Sequence, residues 1–202
     1  MVGTHLDITA RKAAEARTHW LAYFDALTGL PNRRPLLDRM RQSLRQAQRT
    51  GEMGALVFID LDNFKHINDA RGHAVGDTIL RAMGERLQAQ IRAEDTVARL
   101  EGDEFVVLLG SVGPEIASSA RHAMTAAEKL RKALEVPLVI DGMTYSTTGS
   151  FGITLFPRGS ESSEDLLRDA DIAMYSCQGS RPQPRRLLRS ANAGRGGAAP
   201  DA

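Results

Sequence analysis

Cysteine is almost missing from this sequence: Cys177 is the only one in 202 residues. That excludes an internal disulfide and a cysteine-based zinc site, and it suits a reducing cytoplasm, the expected location. Net charge is nearly missing too. A balance of +1 at pH 7 excludes a nucleic-acid binder working through bulk electrostatics, so nucleic acid is not an expected partner. Arginine is dense over 33–49 and 181–195, but without interleaved aromatics these stretches read as a solvated helix face and a disordered tail. No apolar run approaches the ~20 residues of a membrane span, and the N-terminus lacks a signal-peptide pattern. A soluble chain without direct membrane contact is expected, whatever a longer parent does. Internal repeats are absent.

What is present is an ordinary globular balance, 42% apolar and 25% charged residues, in a chain long enough for one domain with a full core. Residues 5–24 carry apolar positions at helical spacing, Leu6, Ala13, Ala16, Trp20, Leu21 and Phe24. They read either as a lead-in helix that pairs with a copy of itself or as a simple packing helix. "DALTGLPNRR" is a tight loop, and 35–49 a basic amphipathic helix. "GALVFIDLDNF" opens as a continuous apolar run, typical of a buried strand, and ends abruptly in acids. After a loop, "KHINDARGHAVGD", residues 77–91 return to helical spacing. Residues 97–100 and 105–109 form a hairpin around an acidic turn, and 114–134 an Ala-rich helix. Asp141-Gly142 marks a second hairpin, and 163–176 a last helix. From Cys177 the composition loses periodicity, so 177–202 reads as a disordered tail. The expected fold class is α+β, a mainly antiparallel central sheet flanked by helices.

The acids have a pattern. Asp60 and Asp62 end the first buried strand, and Asp103 and Glu104 lie in the turn of the later hairpin. If those elements are neighbours, the carboxylates converge on one edge, repel one another and call for a cation. Oxygen ligands without His or Cys favour Mg²⁺, bridging carboxylates and substrate phosphates. Taken singly, each acid is as well explained as a solvated turn residue. Lys65, just past the first pair, could neutralise phosphate charge. Gly72, Gly76 and Gly102 allow close backbone approach. Asn68 and Asp77 match the donors and acceptors of a purine edge, whereas a histidine placed like His73 is more often a loop or core residue than a ligand.

The blocks "DALTGLPNRR", "FIDLDNFKHINDARGHAVGD", "ARLEGDEF", "TGSFGIT" and "DADIAMY" resemble, in order and spacing, the GGDEF family of diguanylate cyclases. They cover about 25–176, leaving 1–24 as an N-terminal signalling helix. "DITARKAAEA" is similar to the exit helix of a sensory PAS domain. The resemblance implies a fold similar to nucleotidyl cyclase and polymerase palm domains, and the condensation of two GTP to cyclic di-GMP and two pyrophosphates at a homodimer interface. It implies that Asp60, the Leu61 carbonyl and Asp103 bind Mg²⁺ (or Mn²⁺), that Asp103 takes the proton with Glu104 beside it, and that Lys65 stabilises phosphate charge. By the same resemblance Asn68, His73 and Asp77 bind the guanine-ribose end, and Gly102 lies close to the nucleotide. "RAED" is similar to the family's inhibitory site, with Arg92 and Asp95 binding cyclic di-GMP.

Two features depart from the family. Glu101 stands where the signature begins with Gly, which implies reduced rather than abolished turnover. The last helix also lacks the family's "AMYxAKxxGRN" ending: Gln178 stands at the lysine position and Arg181 one step early. Encoding Cys177 onward as TGC CAA GGC AGC CGG CCG CAA CCG CGC and shifting by one base gives Ala-Lys-Ala-Ala-Gly-Arg-Asn-Arg, the missing segment. Residues from about 177 are therefore read as a frameshifted tail that replaces a linker towards a phosphodiesterase EAL domain. A catalytically weakened domain that binds GTP or cyclic di-GMP, and a plain dimerisation module, are the alternatives.

Overall fold

A computed structural model describes residues 17, 18 and 20–178. Most of the expected lead-in helix, the tail beyond Gln178 and its frameshift reading lie outside the described residues. The end of that lead-in is helical over 20–23, where Trp20 and Phe24 stack with ring centroids 5.5 Å apart.

The elements follow as α1 (Arg33–Thr50), β1 (Met53–Leu61), α2 (Phe64–Arg71), α3 (His73–Gln88), β2 (Thr96–Arg99), β3 (Glu104–Gly113), α4 (Ile116–Leu134), β4 (Leu138–Ile140), β5 (Met143–Tyr145), β6 (Gly149–Phe156) and α5 (Ser163–Gln178). The main sheet has the order β2-β3-β1-β6 with every pairing antiparallel, and β4-β5 form a separate two-stranded ribbon. The expected α+β class is the one observed.

β1 is apolar throughout because both faces of the central strand are covered. Alternate residues point to opposite faces. Ala55, Val57, Ile59 and Leu61 join one core with Ile79 and Met83 of α3 and Leu130 of α4. Leu56 and Phe58 join the other core with Leu36 and Met40 of α1 and Leu166 and Met174 of α5. Each fully buried side chain of this size contributes about 1.5–3 kcal/mol, so this strand and its register are strongly specified.

Glycine sets how close α5 can come. A Cβ on Gly152 of β6 would meet the Ala170 carbonyl oxygen at 2.0 Å and the Met174 nitrogen at 2.5 Å. The helix backbone therefore rests on the strand itself. α5 runs through Gln178, two residues past the expected end, so Cys177 and Gln178 belong to the helix.

One stretch differs from expectation. The loop read over 65–77 is helical: α2 fills 64–71 and α3 begins at His73. Its polar composition hides two anchors, Phe64, which is buried, and Ile67, which packs against the same core. Gly72, at φ 84 and ψ 160, breaks the chain direction between the two helices, a conformation that favours glycine.

Candidate active site

The antiparallel register of β1 and β3 places Asp60 opposite Glu104, and the Leu61 N–H donates to the Asp103 carbonyl at 3.4 Å. The two acidic groups of the sequence thus converge on one sheet edge, as expected if their strands are neighbours. The Glu101–Glu104 turn is closed by Glu104 N–H to the Glu101 carbonyl at 2.9 Å, and by Leu100 N–H to the Glu104 carbonyl at 3.0 Å. Asp60, Asp103 and Glu104 are half-buried, and Leu61 is buried. Burial, then the charges of Glu101, Asp171, Asp60 and Asp103, push the Glu104 carboxyl up to about 7. Asp171 of α5 is an acid at this edge that the spacing of the strands alone did not reveal.

Asp62 does not join them. Its carboxylate accepts hydrogen bonds from Thr148 Oγ1 at 2.5 Å and Ser150 Oγ at 2.8 Å, and its N–H donates to the Thr148 carbonyl at 2.9 Å. It fastens the end of β1 to β6.

The turn is held from behind by Arg99, which is buried. Its Nε and Nη2 donate to the Gly102 carbonyl at 3.1 and 2.6 Å, and its Nη1 donates to both oxygens of Asp25 at 2.9 and 3.1 Å. Asp25 also accepts from the Thr28 N–H and hydroxyl, each at 2.7 Å. Burial opposes ionisation of Asp25, but the two Thr28 bonds and then Arg99 outweigh it and hold the carboxyl below its ordinary value. This explains "DALTG": the aspartate closes a side-chain turn on its own threonine and receives an arginine from β2. Sequence reasoning missed the pair because its partners are far apart in the chain; the one local signal was Asp three residues before Thr.

Glycine is needed at 102, where φ is +52, but not at 101. Among the described non-glycine residues only Asn63 and Asp141 have positive φ. Glu101 therefore sits in ordinary backbone and is exposed. The fold accepts it without strain, so its consequence is one of charge.

The other candidates lie on α2 and α3. Lys65 is exposed in the first turn of α2, which begins at Phe64 after Asn63 turns the chain at φ 61. Asn68 is half-buried, with its side-chain oxygen enclosed and unpartnered. His73 is exposed at the start of α3, and Asp77 is half-buried on the same helix. Arg92 and Asp95 lie apart, at the other end of β2, about 13 Å of strand away from the turn. Arg92 is exposed, with Glu94 at 3.9 Å. Asp95 accepts from the N–H groups of Arg92 and Gly110 at 3.2 and 3.1 Å, so its carboxylate already ties β2 to β3.

Among the described residues no three His, Cys, Asp or Glu side chains form a group that could hold a metal. The acid edge nevertheless fits one hard cation. Mg²⁺ commonly takes one or two carboxylates and fills its remaining positions with water and substrate phosphate. Asp60, Asp103 and the Leu61 carbonyl supply oxygen donors of that kind, and Glu101, Glu104 and Asp171 add negative charge at the same edge.

Comparison with known proteins agrees with this geometry. The family model described as "Diguanylate cyclase, GGDEF domain" matches residues 22–182. The chain is 44% identical over 155 residues to the bifunctional diguanylate cyclase/cyclic di-GMP phosphodiesterase MucR of Pseudomonas aeruginosa, covering 77% of this chain and 22% of that protein. It is 41% identical over 167 residues to the diguanylate cyclase TpbB of the same species, covering 82% of this chain and 37% of the relative. The solved GGDEF domain of TpbB superposes with a TM-score of 0.70 over 78% of this chain and 89% of that one. The GGDEF domain of DgcB from Caulobacter crescentus, solved with c-di-GMP, is 26% identical with a TM-score of 0.71, over 84% of this chain and 95% of that one. The chain thus spans well under half the length of these curated relatives. No helix among the described residues is long and apolar enough to cross a membrane. With the signature strands, the acid edge and the family match in agreement, this chain belongs to the GGDEF family of diguanylate cyclase domains.

Proposed function

We propose that this domain is a diguanylate cyclase that condenses two GTP into cyclic di-GMP and two pyrophosphates across a homodimer interface. The observation that carries the reading is the register of β1 on β3, which sets Asp60 opposite Glu104 beside Asp103 at one sheet edge. Residues 25–176 form the cyclase domain. Residues 1–24 act as the signalling segment that brings two copies together, and 177–202 are the frameshifted tail of a parent with further domains.

Each protomer would hold one GTP facing the other. The 3′-oxygen of one ribose bonds to the α-phosphorus of the opposite nucleotide, the bond to pyrophosphate breaks, and the hydroxyl proton passes to Asp103, with Glu104 beside it. Asp60, Asp103 and the Leu61 carbonyl would hold Mg²⁺ or Mn²⁺, whose charge when bound offsets that of the triphosphate. Lys65 adds a positive charge towards the phosphates. Asn68, His73 and Asp77 bind the guanine-ribose end, and Gly102, without a side chain, lets the nucleotide close on the turn. Cyclic di-GMP would return as an inhibitor at Arg92, whose exposed guanidinium can fork onto guanine or phosphate. Asp95 would contribute only the acceptor capacity its two backbone bonds leave over.

A second reading has its own observation. Glu101 adds a negative charge at the edge where phosphate must bind, and Gln178 ends α5 where the family carries lysine. On this reading the domain binds GTP or cyclic di-GMP as a regulatory module and turns over slowly. Incubating the purified chain with GTP and Mg²⁺ and resolving nucleotides by chromatography decides between them. Cyclic di-GMP accumulation supports the cyclase. Calorimetric GTP binding without product supports the regulatory module, and neither result would leave both readings without support.

A further inference from the structure

Gly76 lies on α3 and is buried, and the space its side chain would fill is already taken. A Cβ there would meet Asn68 Oδ1 at 1.9 Å, Asn68 Cγ at 2.9 Å and Phe64 Cζ at 3.1 Å. The same Oδ1 is a buried oxygen without a hydrogen-bond partner. Orphaned buried oxygens are uncommon and need a reason. The amide is pressed oxygen-first against bare helix backbone, where only weak C–H contacts are available to it, while Asn68 as a whole remains half-exposed. With the oxygen enclosed, the outward part of the amide is its NH₂ donor.

We propose that Gly76 is a positioning residue for nucleotide recognition: its missing side chain is the seat that holds the Asn68 amide oxygen-in and donor-out. This rests on the reading of Asn68 as a guanine contact. The seat selects a ligand that presents a hydrogen-bond acceptor to Asn68. It also explains a glycine in the interior of a helix, where alanine would otherwise be favoured by backbone propensity.

The test is GTP binding by calorimetry to the full chain and to Asn68→Ala, Gly76→Ala, Asp77→Ala and their pairwise combinations. Gly76→Ala should weaken GTP by about tenfold, the scale of one lost polar contact. Asn68→Ala should weaken it equally, and Asn68→Ala/Gly76→Ala should be no worse than either alone. Asp77→Ala should keep its full effect in the Gly76→Ala background, because only Asn68 is displaced; a collapsed pocket would erase both. Gly76→Ala binding GTP like the parent, beside an impaired Asn68→Ala, overturns the seat and leaves the guanine reading standing. Asn68→Ala binding GTP normally overturns the guanine reading itself. Should Gly76→Ala fail to fold, the double variant lacks the clash with Asn68, and GTP binding about tenfold weaker than that of Asn68→Ala alone overturns the proposal.

Discussion

Two carboxylates flank the same acidic turn and live in opposite surroundings. Behind it, Asp25 is saturated: two bonds from Thr28 and a fork from Arg99 hold it ionised. In front, burial and then the charges of Glu101, Asp171, Asp60 and Asp103 push the Glu104 carboxyl up to about 7. Asp62 and Asp95 side with Asp25, each occupied by hydrogen bonds that tie neighbouring strands together. Acids that hold the fold have their donors within the protein. The acids at the front of the turn face other acids, and burial together with their mutual charge raises the Glu104 carboxyl.

The sharpest way to break this contrast is to remove charge from the front. Asp103→Asn should cut cyclic di-GMP formation by about a thousandfold, measured as product per hour with GTP and Mg²⁺, while the melting temperature holds or rises because a repulsion is gone. A gain of stability without loss of activity would contradict the role given to this edge.

Removing the partner behind the turn should do the reverse. Arg99→Ala leaves Asp25 without its cation and Gly102 without its donors, in a place where the arginine side chain is 10% exposed and that of Asp25 22%. Urea unfolding should report a loss of about 3 kcal/mol, the lower range for breaking a buried pair. Activity should fall as well, since the turn loses its strap.

A pH series sharpens the contrast further. Glu104 holds its proton more tightly in the folded chain than its ordinary value of 4.5 implies. The native state therefore binds more protons than the unfolded state between about pH 4.5 and about pH 7, and stability falls as pH rises through that window. Asp25 has the opposite sign: its stabilisation is present above the ordinary aspartate range and is lost on acidification. Glu104→Gln should flatten the decline, read as the change in unfolding midpoint between about pH 5 and about pH 7, and saturating Mg²⁺ should do so in the parent chain.

The smallest effect is expected at Glu101. Its backbone does not need glycine, so Glu101→Gly should change stability by less than about 1 kcal/mol. Cyclic di-GMP formation should rise several-fold as one negative charge leaves the phosphate edge. No rise would remove the idea that this side chain restrains turnover.

Much of the site was legible because its chemistry is local in sequence. An apolar run that stops at Asp60 and a hairpin that turns on Gly102-Asp103 each announce a strand end bearing acids. α2 was not legible, because its helix depends on Phe64 and Ile67 reaching a core built by distant strands. Neither was the division of labour among the acids. Asp60 and Asp62 look alike in the chain, yet one faces Glu104 and the other is taken by Thr148 and Ser150.

What the sequence by itself determined is therefore the elements and the charge at their ends: alternation and apolar runs set the strands, glycine set the turns, and the acids that close two of the strands set an acidic edge. What only the tertiary structure decided is which carboxylates are tied into the fold by hydrogen bonds and which face other acids. A carboxylate's state depends on donors and charges within a few ångströms, and those come from residues such as Arg99, Thr148 and Asp171, which only folding brings to the turn.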